Sequence, residues 1–384
     1  MDYYCSKKFT DLYVHVQSRL LYNCCKAYPE RINLDWLEKN PGQLFYTKTM
    51  LQDRRLMLDN KPCDSCDFGC YKYERQGLPS QRNKVDAYYG TITDIQHPLK
   101  HLDIALSTDC NLTCLYCDPE FSTSWHKDIE TNGTYDLATR KTTGKNWATL
   151  WAKMKQKNRS TGTKFFNLLL TEIKLAKDLD SISIAGGEPL LNNNIDDLVK
   201  VAGDKKITII TGLGISDIRL ENFLNKYKNK NIIFKVSCET TGNYFEFLRY
   251  GNKWQNFLQK IKKISDHNFK IRFGATITNI TLLDFHNFYD MFGKDYEIVI
   301  NPITERPFLE PYVLDETSKS NFSKWYENNK QFDKFGVMSN ICKPVASKLQ
   351  IKDLNKFILE FCKRRNIDYT FLPKHFLHWL KISS

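Results

Sequence analysis

From about residue 100 the chain alternates short apolar runs with longer helical patterns, and this alternation restricts the fold more than any other feature of its 384 residues. Candidate strands are His101 to Ser107, Ser181 to Ala185, Ile207 to Thr211, Ile232 to Ser237, Ile271 to Ile277 and Glu297 to Asn301. The intervals read as crossover helices. The clearest is Asn252 to Ser265, where Trp254, Phe257, Leu258, Ile261 and Ile264 share one face. Strands joined through helices run parallel, so an α/β fold is expected, closed into a barrel or spread as an open sheet. In either case the working residues gather beyond the carboxyl ends of the strands.

Residues 1–98 mix aromatic and basic segments with loops and end in the turn-rich G-L-P-S-Q-R-N, as a compact N-terminal module would. Within them, Leu12 to Tyr22 reads as a strand or hairpin and Lys48 to Asp59 as a short helix. Residues 99–305 carry the alternating pattern. An insertion after the first run is polar through Thr131 to Lys145 and helical from about Asn146 to Asp178. Residues 306–384 open on R-P-F-L-E-P-Y and include a helical stretch at Ile351 to Arg365.

Hydrophobic residues at 41% and charged residues at 26% describe a folded chain. The start M-D-Y-Y-C-S-K-K-F-T lacks the order of a signal peptide, and no apolar run approaches a membrane span. A cytoplasmic protein with no membrane partner is expected. Twelve cysteines then need a reason, because a reducing compartment does not pair them as disulfides, and metal or redox chemistry is that reason. Cys238, Cys342 and Cys362 stand apart and read as small buried hydrophobes. The net charge of +12 admits nucleic acid as a partner, but the lysines are scattered and form no arginine-rich tract. Solvated helix faces account for them better.

Directly after the first strand, C-N-L-T-C-L-Y-C sets Cys110, Cys114 and Cys117 at C-x3-C-x2-C spacing. Thiolates so placed on a loop suit zinc or an iron-sulfur cluster. A structural zinc site needs four protein ligands, and no fourth is near; His126 is set off by a helical stretch. Three thiolates on a cubane leave one iron open to a small molecule. At the end of the second strand, S-I-S-I-A-G-G-E-P brings Gly186 and Gly187 to a point where backbone can approach a ligand, with Glu188 able to meet an ammonium group. The simpler reading is a strand-to-helix turn with Pro189 near the helix start.

With Tyr116 as the aromatic before the last cysteine, the motif resembles that of the radical S-adenosylmethionine (SAM) superfamily, and the G-G-E-P turn one strand later is similar too. The resemblance implies a partial (β/α)6 TIM-like barrel and a [4Fe-4S] cluster on Cys110, Cys114 and Cys117. It implies that the open iron chelates SAM, and that an electron from the cluster breaks the sulfonium bond to give a 5'-deoxyadenosyl radical that takes hydrogen from the substrate. An external electron donor such as flavodoxin or ferredoxin comes with that chemistry. Gly186, Gly187 and Glu188 would contact the methionyl amino group. Thr211 with Gly212, Ser237 with Glu239, and Thr278 with Asn279 end later strands, where they would meet the ribose and carboxylate of SAM or serve as ordinary turns and caps. Similar proteins often read T-N-G and S-I-D-G where this chain has T-G-L and S-C-E-T. Arg249, in F-L-R-Y-G, falls where related proteins carry a comparable arginine, suited to a carboxylate of SAM or substrate, or to an ion pair.

A second group of cysteines comprises Cys5, the adjacent Cys24 and Cys25, and Cys63, Cys66 and Cys70 of C-D-S-C-D-F-G-C. In an extended segment only one of Cys24 and Cys25 faces a given metal. Cys66, Cys70, Tyr71, Glu74, Gly77, Ser80 and Arg82 resemble the twitch or SPASM-like extensions of radical SAM proteins, although the usual module follows the barrel. The resemblance implies an auxiliary [4Fe-4S] cluster on Cys5, Cys24, Cys66 and Cys70, with Cys25 and Cys63 as alternates; a four-cysteine zinc site competes. The expected protein is therefore a radical SAM enzyme acting on a peptide or a small metabolite. The rival reading is a non-catalytic iron-sulfur or zinc scaffold that binds nucleic acid, against which G-G-E-P stands.

Overall fold

A computed structural model describes residues 2–24, 27–75, 80, 82, 90–139, 162–303, 306–333 and 336–381. The chain divides into two units interleaved in sequence: residues 1–108, 153–210 and 229–233 form one, and residues 109–152, 211–228 and 234–384 the other.

The first unit is built on a sheet. β1 (Asp11–His15) turns back into β2 (Leu20–Tyr22), with Tyr13 opposite Tyr22, and β3 (Glu30–Arg31) pairs antiparallel beyond it. This is the hairpin expected at Leu12 to Tyr22. The other edge of β1 takes β4 (His101–Ala105) in parallel, from Asp11 beside His101 to His15 beside Ala105. β5 (Ser181–Ala185) and β6 (Lys206–Thr211) continue in parallel. Leu12, Leu102, Ile182 and Ile207 lie in one register row, Val14, Ile104, Ile184 and Ile209 in another, and all eight are buried on the same face. The first strand of residues 1–98 is thus hydrogen-bonded into the parallel sheet.

Helices cover that sheet. Residues 162–175 are helical and bury Phe165, Leu169 and Ile173 at helical spacing. The remainder of the helix expected from Asn146, residues 146–161, lies outside the described residues. Helix Ile195–Ala202 buries Leu198, Val199 and Ala202. Helix Lys48–Leu58 starts at Thr47, whose side chain accepts from the Met50 N–H. Its Arg54 is fully buried, donating to the carbonyls of Lys8, Phe45 and Ile95 and lying 4.0 Å over the Phe45 ring.

β7 (Ile232–Ser237) begins in the first unit and ends in the second. In the second unit β8 (Lys270–Ile277) and β9 (Glu297–Pro302) pair in parallel. Helix Trp254–Asp266 buries Trp254, Phe257, Ile261 and Ile264, the face read from their spacing. Helix Lys348–Arg365 opens with a capping box between Ser347 and Gln350, buries Phe357, Ile358, Phe361 and Cys362, and stops at left-handed Asn366. The chain is a mixed α/β protein with a parallel sheet, consistent with a partial TIM-like fold. Among the described residues no helix is long and apolar enough to cross a membrane.

Candidate active site

The cysteine loop belongs to the second unit, between β4 and the helix Thr123–Asn132. Two of its N–H groups are taken by a neighbouring segment: Thr113 donates to the Tyr250 carbonyl at 3.0 Å and Leu115 to that of Leu248 at 2.8 Å. Its carbonyls are taken by the helix that follows. The hydroxyls of Thr123 and Ser124 donate to the Cys110 carbonyl, Ser122 to that of Leu112, and the Trp125 indole to that of Cys114 at 2.8 Å. These groups fix the backbone of the loop. The Cys110 sulfur accepts from the Leu112 N–H at 3.4 Å. Burial pushes the Cys117 thiol well up, and the nearby Cys114 and Cys110 push it further. A thiol raised in this way ionises only beside a strong positive charge, such as a metal cluster would supply.

Among the described residues no group of three or more His, Cys, Asp or Glu is placed to hold a single metal ion. One zinc would draw thiolates to within about 4 Å of each other, since each Zn–S bond is only about 2.3 Å. A cubane carries its irons at separate corners and accepts a wider set. His126, set aside as a ligand from the sequence, is buried with its Nε2 2.8 Å from Glu130 Oε1.

Three of the residues singled out for SAM meet beside the loop. The Tyr116 hydroxyl donates to Glu239 Oε1 at 2.9 Å, and Arg249 pairs with Glu239 Oε2 at 2.7 Å. Arg249 Nη1 lies 4.0 Å from the Cys114 sulfur, while its Nε is buried and has no hydrogen-bond partner. Burial works against the Arg249 charge, but Glu239, then Tyr116 and Cys114, outweigh it and hold the guanidinium above its ordinary value. The pairing possible for Arg249 is thus made, but in the interior and not on the surface. Its orphan donor is a position from which a bound polar group could be met.

Thr211 ends β6 with its hydroxyl accepting from the Leu213 N–H at 2.8 Å, where Leu213 is left-handed at φ 55°. Ser237 closes β7 and is half-buried. Thr278 caps the short helix Asn279–Leu282, and the Asn279 amide donates to the carbonyls of Phe308 and Val313, so this pair is structural.

In the first unit, β5 runs into the G-G-E turn. Gly186 has φ 125°, and a side chain there would place Cβ 2.5 Å from the Ser107 carbonyl oxygen. That oxygen accepts from the Gly187 N–H at 2.7 Å. Glu188 is buried and caps the 3-10 turn Pro189–Leu191, so a helical turn does begin at Pro189.

The N-terminal cysteines also lie in the first unit. Burial pushes up the Cys66 and Cys70 thiols, and Cys24 beside both adds to it. Cys5, Cys63 and Cys66 share one apolar cluster with Phe9, Met57 and Tyr71. The Cys63 thiol donates to the Asp53 carbonyl at 3.3 Å. Glu74 accepts from Ser80 Oγ at 2.5 Å and pairs with Arg82, which also donates to the Tyr4 carbonyl. That internal network gives Glu74, Ser80 and Arg82 a common purpose. Gly77 and Cys25 lie outside the described residues.

The buried cations Lys8 and Arg306 escaped sequence reading. Lys8 is enclosed, its Nζ 2.6 Å from Asn23, Asp53 and Ser65. Arg306 donates to the carbonyls of Leu115 and Cys117. Neither has a spacing or motif to mark it; a periodicity test on residues 7–10 would at best have placed Lys8 on an inward face.

Comparison with known proteins bears on the same residues. Residues 104–292 match the family model of the Radical SAM superfamily, a stretch that takes in the cysteine loop, the G-G-E turn, Glu239 and Arg249. Over 202 residues the chain is 22% identical to the GTP 3',8-cyclase of Synechocystis sp., covering 52% of this chain and 50% of that protein. The chain thus spans about half the length of this relative. Among solved structures, anSMEcpe with bound AdoMet is similar at 16% identity and TM-score 0.37, over 61% of this chain and 62% of that one. SuiB of Streptococcus suis bound to precursor peptide SuiA is similar at 14% identity and TM-score 0.34, over 85% and 70%. Residues 104–292, just under half of the chain, are thus similar to the Radical SAM superfamily.

Proposed function

We propose that the chain is a radical SAM enzyme that reductively cleaves SAM at a [4Fe-4S] cluster held by Cys110, Cys114 and Cys117, and abstracts hydrogen from a peptide or small-metabolite substrate. The observation that carries this reading is the cysteine loop itself: three thiols at C-x3-C-x2-C spacing, on a backbone satisfied from outside, within the span that matches the family. When bound, the cluster and SAM supply the electron and the scissile sulfonium bond. The protein's own residues bind and orient. Gly186, Gly187 and Glu188 are read as contacts of the methionyl amino group, and Thr211, Ser237 and Glu239 as contacts of the ribose and carboxylate. Arg249 offers its unpartnered Nε, and Tyr116 fixes Glu239. A nucleic-acid scaffold is not favoured.

An auxiliary [4Fe-4S] cluster on Cys5, Cys24, Cys66 and Cys70 is part of the proposal, in a twitch or SPASM-like segment over residues 1–98. Cys63 is read as a non-ligand because its thiol is spent on the Asp53 carbonyl. Residues 99–305 would be the catalytic segment and 306–384 an extension, working in the cytoplasm with an external donor such as flavodoxin or ferredoxin.

The test is anaerobic reconstitution followed by dithionite and SAM, with 5'-deoxyadenosine measured. Its formation supports the reading, and its absence from protein with intact clusters overturns it. Cys114→Ala abolishes the product, whereas Cys66→Ala leaves uncoupled cleavage largely intact.

A further inference from the structure

The Cys114–Cys117 turn is held by a residue that the reading above does not use. Arg306 has a side chain only 4% exposed, and its Nη1 donates to the Leu115 carbonyl at 3.2 Å while Nη2 donates to the Cys117 carbonyl. The same Nη2 lies 3.0 Å from Asp118 Oδ1. One guanidinium therefore grips two carbonyls of the turn and the carboxylate just past it. It has little freedom to leave. The next residues form the turn Pro307–Leu309, in which Phe308 and Leu309 are fully buried and Phe308 packs 4.9 Å from the Phe357 ring. A planar fork with fixed donor directions spans the two separated carbonyls from one position, a geometry that the compact ammonium of lysine does not reproduce.

We propose that Arg306 is a positioning residue for the cluster. By bridging the Leu115 and Cys117 carbonyls it sets the separation and aim of the Cys114 and Cys117 thiols, with Asp118 holding the fork in place. This rests on the assignment of the cluster to Cys110, Cys114 and Cys117. Groups that orient metal ligands without touching the metal typically change metal affinity by about 10- to 100-fold when lost. The spectrum of the cluster should follow its ligand geometry.

The experiment uses the full chain, reconstituted anaerobically, as wild type, Arg306→Lys, Arg306→Gln and Asp118→Asn. The reduced cluster at this loop is identified as the electron paramagnetic resonance signal that changes when SAM is added, and its loss to a chelator is timed. Expected are about tenfold or faster loss and altered g-values for both Arg306 variants, with Lys closer to wild type than Gln and far-ultraviolet circular dichroism unchanged. Wild-type loss rates and g-values in both variants overturn the inference. If the Arg306 variants do not fold, Asp118→Asn is read alone: faster loss supports the clamp and a wild-type rate overturns it. A wild-type protein that builds no SAM-responsive cluster would instead sink the underlying assignment, so the two failures are told apart.

Discussion

Glu239 and Arg249 form an ion pair of 2.7 Å with side chains 0% and 4% exposed, and the far side of the guanidinium faces the Cys114 sulfur. Breaking a buried pair strands a charge that water cannot reach. Arg249→Ala and Glu239→Gln should each lower unfolding free energy by about 3–5 kcal/mol in a denaturant titration. Arg249→Lys should recover only part of it, because the fork serves two directions. An unchanged midpoint for Arg249→Ala would mean that the pair is solvated.

Lys8 and Asp53 make the analogous pair in the first unit, 2.6 Å apart with the lysine side chain fully enclosed. Lys8→Met alone should cost about 3–5 kcal/mol, and the double variant Lys8→Met with Asp53→Leu should regain most of it. The measurement is a double-mutant cycle by chemical denaturation. Additive losses would show that the two side chains do not depend on each other.

Gly186→Ala carries two penalties, a backbone at φ 125° and a Cβ 2.5 Å from a backbone oxygen already in use. Gly203→Ala, at φ 62° with nothing within 4 Å of its Cβ, carries only the first. The expected costs are several kcal/mol for Gly186→Ala against about 1–2 kcal/mol for Gly203→Ala, compared by thermal melting. Equal costs would remove the case for close approach at the G-G-E turn.

Burial pushes the Cys362 thiol up to about 12 from an ordinary value of 9.0. Because the raised value belongs to the folded state, the stabilising contribution is complete below about pH 9 and is lost as pH rises from there toward 12. Native protein at pH 8 should leave Cys362 unalkylated by iodoacetamide, as peptide mass mapping would report. Cys362→Ala should flatten the fall in melting temperature between pH 8 and 10. Rapid alkylation of the native protein would contradict the burial.

The strands from β4 onward were legible because their apolar alternation is local: Ser181–Ala185 and Ile232–Ser237 run as read, and the helix at Trp254 buries the face its spacing marks. The cysteine loop was legible for the same reason, since all three thiols lie within eight positions. Pairing over distance was not. β1 finds β4 across residues 16–100, and nothing in its five residues distinguishes β4 from another apolar strand. Tyr116, Glu239 and Arg249 each stood out, but for a shared ligand; that they bond to one another depends on tertiary placement. Arg306 looked like the first letter of a proline-rich loop. Two of its acceptors are main-chain carbonyls, which every residue possesses and no sequence displays.

The parallel pairing of β1 with β4 also imposes an order of events during synthesis. β1 and its hairpin emerge from the ribosome with one edge open, and a hairpin of this size is marginal by itself. Cys5, Cys24, Cys66 and Cys70 all precede His101, so every one of them is made before the strand that pairs with the open edge of β1. Cys110 follows that strand almost at once. A nascent chain therefore exposes its first set of thiols before the open edge of β1 has a partner, and its second only after that partner strand has been made.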